Sequence, residues 1–256
     1  MRIGIRDGCL KQPAVPALAL AGKLGFDGVE ICIGQNTADC VLWQEGGFDQ
    51  VNQAAEQAGV VVSSLSPGYF ASLHPVVDDP ALREQGQALI LDCIAKCGPV
   101  GAGAILVPMF PKDMNDWPES TWRQLVDGFK PLAEAAAQAN VILALETTFS
   151  ADHLDRILDD VDNEAFTVYY DTANTTNLGY HSPSEIRQLG HGIGMVHVKD
   201  TDGNHLGHGR VPWGECREAI GDLGYDGWFV LETPAGDDPA LAGARNLGFT
   251  KGWLAP

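Results

Sequence analysis

Four residues spaced along the second half of the chain have the types and the settings that chemistry needs: Glu146, Asp171, His197 and Glu232. Each stands at or near the end of a short apolar run. The runs are VILALETT over 141–148, FTVYYDTAN over 166–174, IGMVHVKD over 193–200 and WFVLET over 228–233. They are rich in β-branched and aromatic residues and have strand length. A carboxylate or imidazole carried to the end of a buried strand is costly unless something pairs with it. Four such groups on four strands therefore point to one shared partner, and a divalent cation is the simplest.

Three carboxylates and one imidazole make an oxygen-rich donor set. It suits manganese best, with magnesium, cobalt and zinc as further candidates. No thiolate belongs to the set, which argues against a structural zinc site. One metal ion with two glutamates at its rim suits proton transfer beside a carbonyl. The ion would chelate the carbonyl oxygen and a neighbouring hydroxyl, stabilising the enediolate formed when the C–H proton leaves. Glu146 and Glu232 would be the acid–base pair. Return of the proton to the opposite face of the same carbon is epimerisation. Return to the adjacent carbon is aldose–ketose isomerisation.

The elements that must position these groups are legible along the chain. Strands are expected at 2–6, 27–33, 60–66 and 103–108, and then in the four runs above. Helices are expected at 13–24, 48–58, 81–97, 119–138, 152–161, 183–189, 212–223 and 238–253, with a disturbance at Pro131 in the fourth. The expected loops include 67–80 and 109–117. Strands apolar on both faces and separated by helices indicate a parallel sheet covered by helices. Eight strand–helix units in 256 residues match a single α/β domain over 1–256, a (β/α)8 TIM barrel. A Rossmann-type sheet would want a GxGxxG turn after an early strand, and none is present. In a barrel the strand ends share one mouth, and the spacings of 25, 26 and 35 residues between the four groups are each about one unit. The segments LGFDGVE (24–30) and LGYDGW (223–228) echo one another and suggest two units built alike.

Composition narrows the partners. Sixteen basic against 34 acidic residues give a net charge of −18. Nucleic-acid affinity rests on phosphate neutralisation by Lys and Arg, so no nucleic-acid partner is expected, and no anionic membrane. No apolar run approaches a membrane span, and no signal region opens the chain, which points to a cytoplasmic protein. The six cysteines form no CxxC pair and read as reduced packing thiols, with Cys93 and Cys97 on one helical face.

The strings LALETT, YYDTAN, VHVKD, GHGRVPW and VLET resemble the xylose isomerase-like barrel superfamily of sugar isomerases and epimerases. Within it they are most similar to ketose 3-epimerases and L-xylulose-5-phosphate 3-epimerases. The resemblance covers most of the chain and is strongest over 141–233. It implies that Glu146, Asp171, His197 and Glu232 are metal ligands and that the two glutamates double as acid and base. It also implies a sugar or sugar-phosphate substrate and a homodimer. Asn174 stands where several ketose 3-epimerases carry histidine, and LETPAG lacks the aromatic neighbours usual after the last glutamate. An inosose dehydratase-like lyase is the alternative on the same barrel. An endonuclease of the kind that cuts at abasic sites and a non-catalytic sugar-binding barrel are more distant ones.

Further substrate-binding candidates are Asn174, Lys199, Arg210, His74 and Glu30. Lys199 follows the strand histidine, and Arg210 lies in a glycine-flexible loop with His205 and His208, which read as surface residues. Glu30 ends the second strand, where a structural ion pair competes with a sugar contact. His74 follows the third strand with Tyr69 and Phe70, where an aromatic wall would exclude water. Trp117 and Trp213 read as packing residues.

Overall fold

The computed structural model describes residues 1–112 and 114–255. The loop expected over 109–117 contains Asp113, and the last residue of the expected domain is Pro256; both lie outside the described residues. Eight parallel strands close into a barrel in sequential order: β1 (Arg2–Arg6), β2 (Gly28–Ile33), β3 (Val61–Pro67), β4 (Ala104–Met109), β5 (Ile142–Thr147), β6 (Phe166–Asp171), β7 (Ile193–Val198) and β8 (Trp228–Leu231). The ring is completed by β1 pairing with β8, Gly4 opposite Val230.

The connecting helices are α1 (Ala14–Leu24), α2 (Gly47–Ala58), α3 (Pro80–Val100), α4 (Glu119–Gln138), α5 (Ala151–Val161), α6 (Thr172–Asn177), α7 (Ser182–Leu189), α8 (Trp213–Leu223) and α9 (Pro239–Leu254). The expected elements are present with boundaries shifted by a few residues. The expected disturbance at Pro131 does not end α4, which runs through it, as α3 runs through Pro99. The sequence echo is structural. Gly25 and Gly224 both end a helix in the left-handed conformation, at φ 88° and 62°, just before β2 and β8. Among the described residues no helix is long and apolar enough to cross a membrane.

Strand alternation sorts the side chains into two layers. Outward residues such as Ile105, Val107, Leu143 and Leu145 pack beneath the helices. A separate cluster of Ala104, Leu106, Ala144, Tyr169, Met195, Trp228 and Val230 fills the barrel interior. Trp228 needs its neighbour to be small: a Cβ on Gly28 would lie 2.7 Å from the indole. Continuing each inward row by two residues reaches Glu146 above Ala144, Asp171 above Tyr169, His197 above Met195 and Glu232 above Val230. The same step reaches Arg6 above Gly4 and Glu30 above Gly28. The polar groups thus form the layer over an apolar plug, at the C-terminal end of the barrel.

One element differs in kind from expectation. The run 166–174 is strand only to Asp171, and Thr172–Asn177 turns at once into α6. Asp171 caps it: Oδ1 accepts from the amides of Ala173 (2.8 Å) and Asn174 (2.7 Å). The cap fixes the carboxylate while leaving Oδ2 without a hydrogen bond. At the last strand, Glu232 lies one residue beyond β8, yet its amide still donates to the Val198 carbonyl at 3.1 Å.

Candidate metal centre

Glu146, Asp171, His197 and Glu232 each offer an atom within 4.8 Å of the others. The imidazole of His197 has no solvent exposure. Its Nδ1 faces Glu146 Oε1 at 3.4 Å and Glu232 Oε2 at 3.3 Å. Its Nε2 faces away, toward Glu30 Oε1 at 3.3 Å. The ring's two nitrogens therefore have separate partners, one set in the cluster and one beneath it.

Glu30 is fully buried and its oxygens are occupied. Oε2 accepts from the hydroxyls of Ser64 and Tyr169, both at 2.8 Å. Oε1 also stands 3.1 Å from Arg6 Nε, an ion pair off the hydrogen-bond direction. Burial alone would raise the Glu30 carboxyl, but His197, Arg6 and the Ser64 hydroxyl hold it below its ordinary value. Of the two readings of Glu30, the structure shows the ion pair, made with Arg6 by a fully buried side chain. The residue sits under the mouth as a partner of His197.

Two cations brace the rim. Arg6 Nη1 donates to Glu232 Oε1. Lys199 Nζ donates to Glu232 Oε2 at 3.1 Å and stands 3.6 Å from Asp171 Oδ2. Burial works against ionisation of Glu232, but His197, Arg6 and Lys199 together hold its carboxyl far below the usual carboxylate range. Asp171 is different. Burial raises it to about 7; Lys199 opposes the rise, while Glu146 and Glu232 add to it. Its Oδ2 is buried and has no hydrogen-bond partner. Asn174 Nδ2 donates to Glu146 Oε1 at 3.2 Å.

Two cavities meet at this rim, sharing Arg6, Lys199 and Glu232. One, of about 410 Å³, runs past Glu146, Asn174, Ser66 and Phe110. The other, of about 380 Å³, runs past Cys9, Cys32, Asp200 and Thr233. Of the expected substrate contacts, Asn174 and Lys199 line a cavity. Arg210 is exposed and turned to Asp202 (3.3 Å) and Asn177 (3.0 Å). His74 is half-buried and lines neither cavity, and burial lowers its pKa. Phe70 packs on Phe129 in the core instead of walling the mouth. Trp213 is a packing residue as expected, in edge contact with Phe249 and Trp253.

Sequence reasoning passed over Arg6 and Tyr169. Both carried a usable signal. Arg6 ends its strand as the four ligand candidates end theirs, and Tyr169 lies two residues before Asp171 on the same inward face.

The loop after β7 has its own anchor. Asp200, only 1% exposed, accepts from the amides of Thr201 (2.8 Å), Gly207 (2.9 Å), Gly209 (3.0 Å) and Val211 (3.4 Å) and from Trp213 Nε1 (3.2 Å). Gly209 is needed there, because a Cβ would lie 2.1 Å from Asp200 Oδ1.

The pattern of the xylose isomerase-like TIM barrel family matches residues 18–252. L-ribulose-5-phosphate 3-epimerase of Escherichia coli (strain SMS-3-5 / SECEC) is 27% identical over 253 residues, covering 93% of this chain and 89% of that protein. Among solved structures, L-ribulose 3-epimerase superposes with a TM-score of 0.86 at 18% identity, over 99% of this chain and 94% of that one. D-psicose 3-epimerase of Clostridium cellulolyticum H10, solved with D-tagatose, gives 0.83 at 20% identity over the whole of both chains. The eight-stranded barrel, the cluster at its C-terminal mouth and the match over residues 18–252 agree: the chain belongs to the xylose isomerase-like TIM barrel family.

Proposed function

We propose that this protein is a metal-dependent epimerase or isomerase of ketoses or ketose phosphates, with Glu146, Asp171, His197 and Glu232 holding one divalent cation. The observation that carries the proposal is the convergence of the four ligand-type side chains within 4.8 Å at the ends of β5 to β8. The residues fit such an ion. Asp171 Oδ2 is a buried carboxylate oxygen with no hydrogen-bond partner, and two carboxylates crowd one imidazole nitrogen. Oxygen-rich donors with a single nitrogen favour manganese. Bound there, the ion would polarise a carbonyl and a neighbouring hydroxyl oxygen of the substrate.

The remaining chemistry belongs to the chain. Glu146 on β5 and Glu232 beyond β8 stand on opposite sides of β6 and β7, so a sugar between them meets one carboxylate on each face. One takes the proton from the carbon beside the carbonyl, and the other delivers a proton to the opposite face. Arg6 and Lys199 keep Glu232 ionised and fix its direction. Asn174 orients Glu146 through its amide. The two cavities hold the ends of the sugar and keep bulk water from the reacting carbon.

Metal content after dialysis tests the centre, measured on the wild type and on Asp171→Ala/His197→Ala. One ion per wild-type chain, lost in a folded double variant, is expected. A ketose panel in deuterated water then tests the reaction by solvent deuterium entering the carbon beside the carbonyl. No metal uptake with manganese, magnesium, cobalt or zinc would sink the proposal. An enone product in place of a stereoisomer would replace it with dehydration.

A further inference from the structure

The geometry points to Gly86 of α3 and Gly128 of α4 as positioning residues for the sugar, acting from outside the barrel through the segment that follows β3. The role rests on the epimerase or isomerase reading above and adds to it two residues outside the four-residue cluster and both mouth cavities.

β3 ends at Pro67, and a 3-10 turn follows at Gly68–Ser72. Residues three apart in such a turn share a face. Gly68 and Ala71 face inward and, with Ser66, wall the mouth cavity that holds Glu146 and Asn174. Phe70 and Leu73 face the other way, and both are 1% exposed. They line a separate cavity of about 310 Å³, shared with Arg83 and Gln87 of α3 and with Gln124 and Leu132 of α4. A single turn thus stands between the substrate space and the layer of α3 and α4.

This wall is seated from its outer side. The Leu73 carbonyl lies against α3 at a glycine: a Cβ on Gly86 would stand 2.2 Å from that oxygen. Pro75 lies against α4 at another glycine: a Cβ on Gly128 would stand 2.5 Å from the proline Cβ. Hydrogen bonds complete the seat. Gln124 Nε2 donates to the Pro75 carbonyl at 2.7 Å, and Arg83 Nη1 donates to the carbonyls of Val77 (2.6 Å) and Asp78 (2.9 Å). The Phe70 ring meets Phe129 of α4 at 6.4 Å between centroids. Alanine would favour either helix over glycine, and the close approach is what it would forbid.

A packed interior transmits a displacement instead of absorbing it. A methyl group at position 86 or 128 falls about 1 Å short of van der Waals contact, so the segment 73–75 must move. Leu73 is two residues from Ala71, and its amide closes the turn on the Phe70 carbonyl at 2.8 Å, so the movement reaches the wall. Among the described residues, no residue of α3 or α4 lines either mouth cavity or joins the four-residue cluster. The wall carries no proton-transfer group. Its contact with the sugar is therefore the same in the ground and transition states, and its loss appears in KM with kcat kept.

The test is steady-state kinetics on the manganese-loaded full chain, read as solvent deuterium entry into the ketose that the wild type turns over fastest. The variants are Gly86→Ala, Gly128→Ala and Gln124→Met, with Gln85→Ala on the exposed face of α3 as the control. KM is expected to rise by about tenfold in both glycine variants and in the same direction in Gln124→Met, with kcat within about threefold of wild type and manganese affinity unchanged. Gln85→Ala should match the wild type. Hydrogen exchange of the amides over 66–78 should quicken in the first three variants alone. Gln124→Met adds no atom against the segment, so it carries the test should a glycine variant not fold. Unchanged KM in the folded variants would overturn the role, and so would a loss of manganese affinity or of kcat alongside KM. No deuterium entry into any ketose with the wild type would overturn the epimerase or isomerase reading as well.

Discussion

Nε2 of His197 stands 3.3 Å from Oε1 of Glu30, and neither side chain has any exposed surface. The carboxylate fixes the tautomer: with the proton on Nε2, the Nδ1 lone pair points at Glu146 and Glu232. Supports of this kind are worth about 10–100-fold in metal affinity. Glu30→Gln should therefore weaken manganese binding by about that factor, measured by competition with a chelator, in a protein that still folds. Unchanged affinity would show that the imidazole needs no orienting partner.

Arg6 and Glu30 should be coupled in stability. Arg6→Leu strands a fully buried carboxylate beside His197 and should cost about 3–5 kcal/mol. Adding Glu30→Gln removes the stranded charge and should recover part of that loss. Urea denaturation of the two single variants and the double variant measures it. Strictly additive losses would mean that the pair is not energetically linked.

The assignment of acid and base predicts paired defects. Glu146→Gln and Glu232→Gln should each lower epimerisation by about 10²–10⁴-fold, the usual contribution of a positioned proton-transfer group. Circular dichroism should show the fold unchanged in both. A variant that keeps more than roughly a tenth of the wild-type rate would lose its place in the pair.

Asp7 gives a pH signature of folding. It is 5% exposed, and burial raises its carboxyl to about 6, although both oxygens accept from the Cys32 amide at 3.2 Å. A folded pKa above the unfolded one means that the folded chain binds more protons between the two values. Its contribution to stability is present at low pH and is lost as pH rises through about 4 to 6. Asp7→Asn escapes that loss, so its melting temperature relative to wild type should climb across this window. The span corresponds to up to about 3 kcal/mol. Thermal melts in chelator from pH 4 to 8 test it, and a flat difference would contradict a raised carboxyl.

Gly209→Ala should loosen the loop after β7. The new Cβ would meet Asp200 Oδ1, so the carboxylate or the loop must shift, at about 1–3 kcal/mol. Proteolysis within 201–212 should become faster and the melting temperature lower. If neither changes, the amide nest around Asp200 is not rigid.

The sequence by itself determined the barrel and the residue types at its mouth, because those signals are local. Eight apolar runs alternate with eight helical patterns, and a polar group ends several of the runs. Strand alternation then puts Glu146, Asp171, His197 and Glu232 on one inward face whatever the rest of the chain does. The helix α6 was hidden because it exists through its cap: TANTTN has little helical pattern of its own, and Asp171 both ends β6 and starts the helix. The meeting of Arg6, Glu30 and His197 was decided by tertiary structure alone. They come from β1, β2 and β7, with His197 and Glu30 167 residues apart, and they touch across a barrel that closes when β1 pairs with β8. Closure also decided which carboxylates join the four-residue cluster and which face a partner below it. Glu30, expected at the end of its strand, stands inside β2 with Ile31, Cys32 and Ile33 after it, whereas Glu146 is the last residue but one of β5. Glu30 is covered by Arg6, Ser64, Tyr169 and His197, while Glu146 opens onto a cavity.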